Sequence, residues 1–204
     1  MLKDIHWLGH ASFRLDGSAT VYIDPWKLRN PRPADIVLVT HEHHDHLSPD
    51  DIARLTKLET VIICPASCRA KLRGDVRVIK PGQAMTIGEV TVRAVPAYNT
   101  NKPNHPREAG HVGYVVEMDG RRVYHAGDTD LIPEMAEIGC DVAILPVGGT
   151  YTMTAKEAAE ALGLMHPEYA VPMHYGDVVG SAKDAEALRD LAPDDVEVVI
   201  LKKE

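Results

Sequence analysis

The apolar positions of this chain divide it into a strand-rich part and a later part in which helices and strands alternate. Short runs of continuous or alternating apolar residues, bounded by glycine or proline, predict β-strands. Asp119-Gly120 lies between two such runs and predicts a hairpin turn. The pattern predicts strands at residues 4–8, 12–16, 20–24, 35–40, 60–64, 76–80, 84–87, 90–95, 112–118, 121–125, 141–147, 169–173 and 196–201.

Capping residues mark the start of three predicted helices. Ser48 precedes a proline and two acidic residues, and Ser181 is the predicted N-cap of another helix. Thr154 begins a capping box, in which an acidic side chain three residues later bonds back to the cap. Helices are also predicted over residues 65–73 and 131–138.

Strand-rich stretches interleaved with helices favour an α/β fold. We expect two mixed β-sheets that pack together, with helices on the outer faces. The 204 residues can bury a sizeable core, and no linker or repeat divides them, so one domain is expected over residues 1–204. The segment 96–110 is the one long loop, and loops of that length are usually functional.

Composition argues against several classes of function. The 22 basic and 30 acidic residues give a formal charge of −8, and no basic stripe favours nucleic-acid binding. No apolar run reaches the roughly 18 residues that span a bilayer, so no membrane association is expected. The N-terminus lacks the apolar core of a signal peptide, and three cysteines suggest no disulfide framework. We therefore expect a cytoplasmic protein that acts on a small-molecule substrate, with self-association left open.

The motif His41-x-His43-x-Asp45-His46 follows directly after a buried strand. In an extended chain residues i and i+2 share a side, so His41 and His43 can converge on one metal ion. Asp45 and His46 lie where the chain must bend towards the next helix, and the bend aims them at a second ion. Neutral imidazole and carboxylate are ligands that zinc accepts, and a catalytic site leaves one position open for water.

Two later strands end in further residues of these types. Gly127 allows a tight turn after the strand at 121–125 and presents Asp128, a carboxylate that can bridge two cations. His174 follows the strand at 169–173. Each residue alone is typical of an ordinary turn. Together with the histidine motif they supply enough ligands for two ions.

This combination resembles the metallo-β-lactamase superfamily, in particular its compact branch of metal-dependent hydrolases that is similar to ascorbate-6-phosphate lactonases. The resemblance covers nearly the whole chain and implies an αββα sandwich with metals at one edge of the two sheets. Besides the histidine motif, Asp128 and His174, the matching segments are Leu8-Gly9-His10-Ala11-Ser12-Phe13, Ile23-Asp24-Pro25, Tyr124-His125-Ala126-Gly127-Asp128-Thr129 and Ala143-Ile144-Leu145-Pro146-Val147-Gly148-Gly149.

One position departs from the family pattern. Many relatives place a first-site histidine shortly after an alanine, just past the strand at 90–95. Here that place is occupied by Ala97-Tyr98-Asn99, which carries no imidazole. His105, six residues beyond Asn99 in the same loop, is the expected replacement, and His111 is the alternative.

The resemblance implies two ligand sets joined by a bridging carboxylate. The first set is His41, His43 and His105, the second is Asp45, His46 and His174, and the bridge is Asp128. The expected ions are two Zn²⁺, with Mn²⁺ as the alternative because carboxylates and water also suit it. A hydroxide bridged between the ions would attack the substrate, with Asp45 and Asp128 as the catalytic residues.

Two further histidines belong to the matching segments. His125 is expected to support Asp128 by a hydrogen bond, as residues behind metal ligands commonly do. His10 either lines the site or satisfies backbone groups in its turn, and the sequence leaves both interpretations open.

The sequence therefore predicts a metal-dependent hydrolase acting on a small ester, lactone or phosphodiester. Two divalent ions, two carboxylates and one hydroxide leave a single positive charge, which favours an anionic substrate unless nearby acids such as Asp130 or Asp177 cancel it. The alternatives are a nuclease or RNA-processing member of the same superfamily, a redox member that uses iron and a flavin domain, and a metal-binding protein without turnover.

Overall fold

The computed structural model describes residues 2–204, so Met1 lies outside the described part of the chain. The first of two sheets contains six strands that lie in chain order. The first two pairings are antiparallel and the other three are parallel. Its strands are β1 (Ile5–Gly9), β2 (Ser12–Asp16), β3 (Thr20–Ile23), β4 (Ala34–Leu38), β5 (Thr56–Cys64) and β6 (Asp75–Val78).

The second sheet contains seven strands, again in chain order. Its first three pairings are antiparallel and its last three are parallel, so both sheets are mixed, as the sequence predicts. Its strands are β7 (Ala84–Ile87), β8 (Val90–Pro96), β9 (Val112–Met118), β10 (Arg121–His125), β11 (Val142–Pro146), β12 (Tyr169–Met173) and β13 (Glu197–Val198).

Three α-helices flank the sheets: α1 (Pro49–Leu55), α2 (Ala155–Met165) and α3 (Ala182–Leu191). The predicted caps are present, since the Ser48 hydroxyl accepts from the third residue of α1 and Thr154 forms a capping box with Glu157. The arrangement confirms the predicted αββα sandwich. The helices within residues 2–204 include no candidate membrane span.

Two predicted helices are short 3-10 turns instead. The segments predicted at 65–73 and 131–138 form Ala66–Lys71 and Pro133–Glu137. Each turn buries a single side chain, Cys68 in one and Met135 in the other. Such a small apolar face cannot stabilise a longer α-helix, since short helices depend on tertiary packing.

The last strand is also shorter than the predicted 196–201. Only Glu197–Val198 pairs with β12 as strand, and the Val199 N–H still donates to the carbonyl of Ala170 at 2.8 Å. The chain then leaves this sheet and reaches the first one, where the Glu204 N–H donates to the carbonyl of Trp7 at 3.0 Å. The C-terminal residues therefore connect the two sheets at their outer strands.

The main core lies between the sheets and contains apolar side chains from both of them. Tyr114 of β9 crosses this core: its hydroxyl lies 2.8 Å from the carbonyl oxygen of Val39 and 3.3 Å from that of Ile63. Its side chain is fully buried. One phenol thus links the second sheet to the backbone of the first, beside the segment that leaves β4.

Replacing Tyr114 with phenylalanine should lower the free energy of unfolding by about 1–2 kcal/mol, because a buried carbonyl loses its donor. Urea unfolding followed by circular dichroism measures this. Tyr151→Phe is the matched control, since the Tyr151 ring is 36% exposed, and it should change stability by less than about 0.5 kcal/mol. Equal stability of the two variants would contradict the assignment.

Candidate metal centre

The residues predicted as metal ligands lie together at one edge of the sandwich, on loops that leave strands of both sheets. They follow β4, β8, β10 and β12 in the chain. The carboxyl ends of neighbouring parallel strands meet at the same sheet edge, so loops distant in sequence converge there. The residues brought together are His41, His43, Asp45, His46, His105, Asp128 and His174.

The histidine motif leaves β4 extended and then turns. The backbone N–H groups of His46 and Leu47 donate to the carbonyl of His43, at 3.1 and 2.8 Å. This turn takes Asp45 and His46 away from the line of His41 and His43. One short segment therefore serves two neighbouring positions, as its spacing predicts.

The first position is surrounded by His41, His43 and His105, whose ligand atoms all lie within 4.8 Å of one another. His43 Nδ1 is 3.0 Å from His41 Nε2 and 3.2 Å from His105 Nε2. His111 lies behind this group, with its Nε2 3.1 Å from the Glu42 carboxylate. Of the two candidates, His105 is the one that the fold brings to the first group.

The second position is surrounded by Asp45, His46 and His174, and the structure adds His10 to them. One ligand atom from each of these four residues lies within 4.8 Å of the others. His10 Nε2 and Asp45 Oδ2 are 3.0 Å apart. The three residues predicted for the second ion are thus together, with one extra imidazole.

Asp128 lies between the two groups. Its Oδ2 is 3.4 Å from His105 Nε2 and 3.2 Å from His174 Nε2, while its Oδ1 is 3.2 Å from His46 Nε2. The preceding Gly127 has φ +64°, and a Cβ there would lie 2.9 Å from the carbonyl oxygen of Val112. Glycine is needed at this turn because both the backbone angle and the close approach disfavour a side chain.

Burial and charge set protonation states that suit metal ligands. Burial lowers the pKa of His41 and brings the pKa of His105 to about 4. Burial opposes ionisation of Asp128, but His174 and His46 beside it hold its pKa well below the usual range. The result is neutral imidazole and ionised carboxylate, the forms in which these side chains bind metal.

His46 behaves differently because it lies between two carboxylates. Burial lowers its pKa, but Asp128 and Asp24 outweigh burial and raise the pKa well above its ordinary value. In the metal-free protein a proton on His46 therefore supplies positive charge at this point. A divalent cation would supply that charge in its place.

Unpartnered buried atoms show that these residues fit metal ions. Within residues 2–204, Nε2 of His46, Nε2 of His174 and Oδ1 of Asp128 are buried and form no hydrogen bond of good geometry, although both nitrogens lie 3.2 Å from the Asp128 carboxylate. Buried polar atoms without partners are rare and costly. A cation at each position would give every one of them a partner, which is what imidazole and carboxylate donors provide for.

A cavity of about 200 Å³ opens onto the two groups. Asp45, Asp128, His43 and His105 line it and are therefore within reach of a bound molecule. The other residues that line it are His44, Asn104, Tyr151 and Val178.

Comparison with known proteins identifies the family. A family profile described as a beta-lactamase superfamily domain matches residues 4–174, which is most of the chain. The chain belongs to the metallo-β-lactamase superfamily. Its relatives include a UPF0173 metal-dependent hydrolase of Archaeoglobus fulgidus, 40% identical over 223 residues that cover 97% of this chain and 95% of that protein.

Solved structures show the same fold. The candidate metal-dependent hydrolase of Parabacteroides distasonis superposes with a TM-score of 0.87 at 38% identity, covering 98% of this chain and 93% of that one. Igni18, a metallo hydrolase of Ignicoccus hospitalis, superposes with a TM-score of 0.79 at 26% identity, covering 97% and 94%. The chain is therefore similar along its length to metal-dependent members of the superfamily.

The metallo-β-lactamase site contains a buried carboxylate to which sequence reasoning gave no role. Asp24, at the end of β3, accepts hydrogen bonds from the backbone N–H and hydroxyl of Thr40 at 2.8 and 2.7 Å. Its Oδ2 is also 2.7 Å from His46 Nδ1. Asp24 thus orients His46 from the side opposite the second position, as carboxylates behind metal-bound histidines do. The segment Ile23-Asp24-Pro25 was the available signal, but its partner could be found only in space.

Asn99, at the place where the family resemblance predicts a histidine, makes contacts of its own. Its Oδ1 lies 3.0 Å from both the backbone N and Nδ1 of His105. Its Nδ2 donates to Asp130 at 3.1 Å and to the carbonyl of Tyr151 at 2.9 Å. Asp130 is buried and also pairs with Lys102. Asn99 therefore fixes the ring of His105, the third member of the first group.

His125 was expected to form a hydrogen bond with Asp128, and this prediction was wrong, because the ring bonds to backbone groups. Its Nε2 lies 2.8 Å from the carbonyl of Ala11, and its Nδ1 accepts from the Gly127 N–H at 3.2 Å. The ring acts on the backbone of the turn before Asp128, because β10 directs it towards the loop between β1 and β2. His44 belongs to neither group: it lies at the exposed side of the cavity, with 83% of its side chain exposed.

Asn99→Ala should lower the affinity for one of the two divalent ions by roughly 10- to 100-fold, because His105 loses the group that orients it. Competition against a chromophoric chelator measures both affinities in metal-free protein loaded with Zn²⁺. Asn101→Ala is the matched control, since Asn101 is exposed and its side chain accepts a hydrogen bond from Lys102, outside both groups. Unchanged affinities in the Asn99 variant would show that His105 needs no such support.

Proposed function

We propose that this protein is a hydrolase that uses two divalent metal ions to cleave a small ester, lactone or phosphodiester. One observation carries the proposal: Asp128 joins two groups of buried imidazole and carboxylate atoms, and the cavity opens onto both groups. Membership of a superfamily with metal-dependent relatives supports it.

The proposed ligands are those predicted from the sequence, with Asp128 between the two positions. When bound, a pair of divalent ions supplies an activated water at neutral pH and polarises the oxygen of the scissile group. Zinc is the proposed metal because imidazole dominates both groups, and manganese remains the alternative. The carboxylates would balance part of the charge of the ions, and the buried side chains in each group would hold its ion in a fixed position.

Asp45 is the carboxylate best placed to take part in the reaction itself. It lines the cavity, and burial, which would raise its pKa, is outweighed by the hydrogen bond from His10 and by His46, so its pKa lies below the usual range. An ionised Asp45 can accept a hydrogen bond from the attacking water and orient it. Asp128 also lines the cavity and holds the two groups together.

The structure changes the charge balance that favoured an anionic substrate. Asp24 adds a buried carboxylate behind His46 and cancels the single positive charge left by the sequence-based count. Asp130 and Asp177 do not add to this, since each pairs with lysine. The residues that line the cavity include neither lysine nor arginine. We therefore propose a small neutral or singly charged substrate.

No contact favours the nuclease alternative. Lys102 belongs to the loop that carries His105, and it is held by Asp130. Lys27 and Lys203 both pair with Asp177, next to the cavity residue Val178. Two carboxylates thus face these three lysines and leave one positive charge uncompensated within this set, which is too little to form a track for a phosphate backbone.

Removing metal should abolish hydrolysis of bis-p-nitrophenyl phosphate and of a small γ-lactone, and adding Zn²⁺ or Mn²⁺ should restore it. The physical reason is that the activated water depends on the ions. Turnover is followed by absorbance after dialysis against chelator and stepwise reloading, with metal content measured in each sample. Activity that survives complete removal of metal would overturn the proposal.

Asp45→Ala should lower kcat by on the order of 10²–10⁴-fold on the same substrates, because the attacking water loses its orienting carboxylate. Asp50→Ala is the matched control, since Asp50 is an exposed acid in the first turn of α1 and should leave kcat unchanged. Thermal unfolding is measured beside kcat. A variant that keeps its activity and loses only stability would indicate a structural metal site without turnover.

A further inference from the structure

His10 belongs to the second group of side chains, yet the proposed ligand set does not require it. It lies in the tight turn between β1 and β2, on the first sheet, and its side chain is fully buried. Its ring centroid is 4.0 Å from that of His174, which follows β12 of the second sheet. A residue from the turn of the first strand pair thus contacts a proposed ligand that the second sheet carries.

The backbone of this turn is held in an uncommon conformation. His10 has φ +52°, a left-handed angle that non-glycine residues seldom adopt, and Gly9 before it has φ +113°. The carbonyl of His10 accepts from the Trp7 indole N–H at 2.9 Å and from the His174 N–H at 3.1 Å. The turn is therefore fastened to the loop of a proposed ligand. Strain of this kind is typical of functional positions.

The side chain of His10 makes one hydrogen bond, and it goes to a proposed metal ligand. Nε2 is 3.0 Å from Asp45 Oδ2, while Nδ1 is buried and has no partner within residues 2–204. An ionised carboxylate can only accept, so Nε2 carries the proton and donates it. The backbone contacts of the turn go through the carbonyl oxygen of His10 and do not use the ring.

We propose that His10 is a positioning residue, whose Nε2–H fixes the Asp45 carboxylate towards the second ion and thereby sets the affinity for that ion. The assignment rests on the proposed function, since it presumes a two-metal centre. His10 touches Asp45 and His174 and makes no contact with the first group, so its effect is confined to one of the two ions. Asn99, through His105, has the corresponding effect on the other ion.

Two amide substitutions separate this role from the other roles a buried histidine can have. Glutamine places its amide nitrogen where histidine has Nε2, so His10→Gln can still donate to Asp45. Asparagine places its amide nitrogen at the level of Nδ1 and falls short of Asp45, while it tolerates the left-handed backbone well. The two variants differ by one methylene group.

The experiment titrates metal-free wild type, His10→Gln and His10→Asn with Zn²⁺ in competition with a chromophoric chelator. We expect His10→Asn to bind one ion roughly 10- to 100-fold more weakly and the other ion with unchanged affinity. His10→Gln should retain both affinities within about threefold. Cobalt loading gives a second readout, since the visible bands of one site should change in His10→Asn only. Urea unfolding of each metal-free protein shows that it is folded before loading.

Three results would overturn the assignment. If His10→Asn binds both ions like wild type, the hydrogen bond to Asp45 has no role in binding. If both variants lose the second ion equally, His10 is a direct metal ligand and not a positioning residue. If His10→Asn weakens both ions equally and destabilises the metal-free protein, the turn is only structural. Wild type that binds no ion would overturn the proposed function itself, which distinguishes that failure from the other three.

Discussion

The structure depends on buried carboxylates at one edge of its two sheets, because their negative charge must be balanced by positive charge within the protein. Asp128 and Asp24 are removed from water with His46 between them, and several imidazole nitrogens around them have no hydrogen-bond partner. Asp128 and Asp24 outweigh burial and raise the pKa of His46, so these carboxylates favour a positive charge on its ring in the metal-free protein. Divalent cations would balance this negative charge and give the unpartnered nitrogens a partner. The contacts that are unfavourable in the metal-free site therefore favour metal binding.

Around this centre, polar side chains act by fixing the residues that face the ions. Asp24 holds His46, Asn99 holds His105, and Asp130 holds Asn99. Each of these holding residues is buried, so the hydrogen bonds are little weakened by water. The precision of a metal site comes from such contacts as much as from the ligands, because an unrestrained imidazole rotates about its side-chain bonds.

The sandwich provides the rigid base on which these contacts are built. Both sheets keep their strands in chain order and end in parallel pairings, so their loops converge at one edge. Tyr114 and the C-terminal residues connect the sheets. The turn of His10 contacts the loop of His174 across the gap between them. The proposed centre is therefore shared by both halves of the molecule, and relative movement of the sheets would disturb both metal positions.

From the sequence we could predict the superfamily, the two mixed sheets and six of the seven residues that converge, because strand periodicity and the close spacing of His41, His43, Asp45 and His46 are local properties. The sequence also predicted α-helix at residues 65–73 and 131–138, where only the short turns Ala66–Lys71 and Pro133–Glu137 form because too little apolar surface is buried to stabilise a longer helix. The tertiary structure was needed to see that His105, and not His111, lies with His41 and His43, and to find the partners of Asp24, Asn99, His125 and His10. Those contacts join residues far apart in the chain, and no periodicity records which side chain will meet another after the sheets pack.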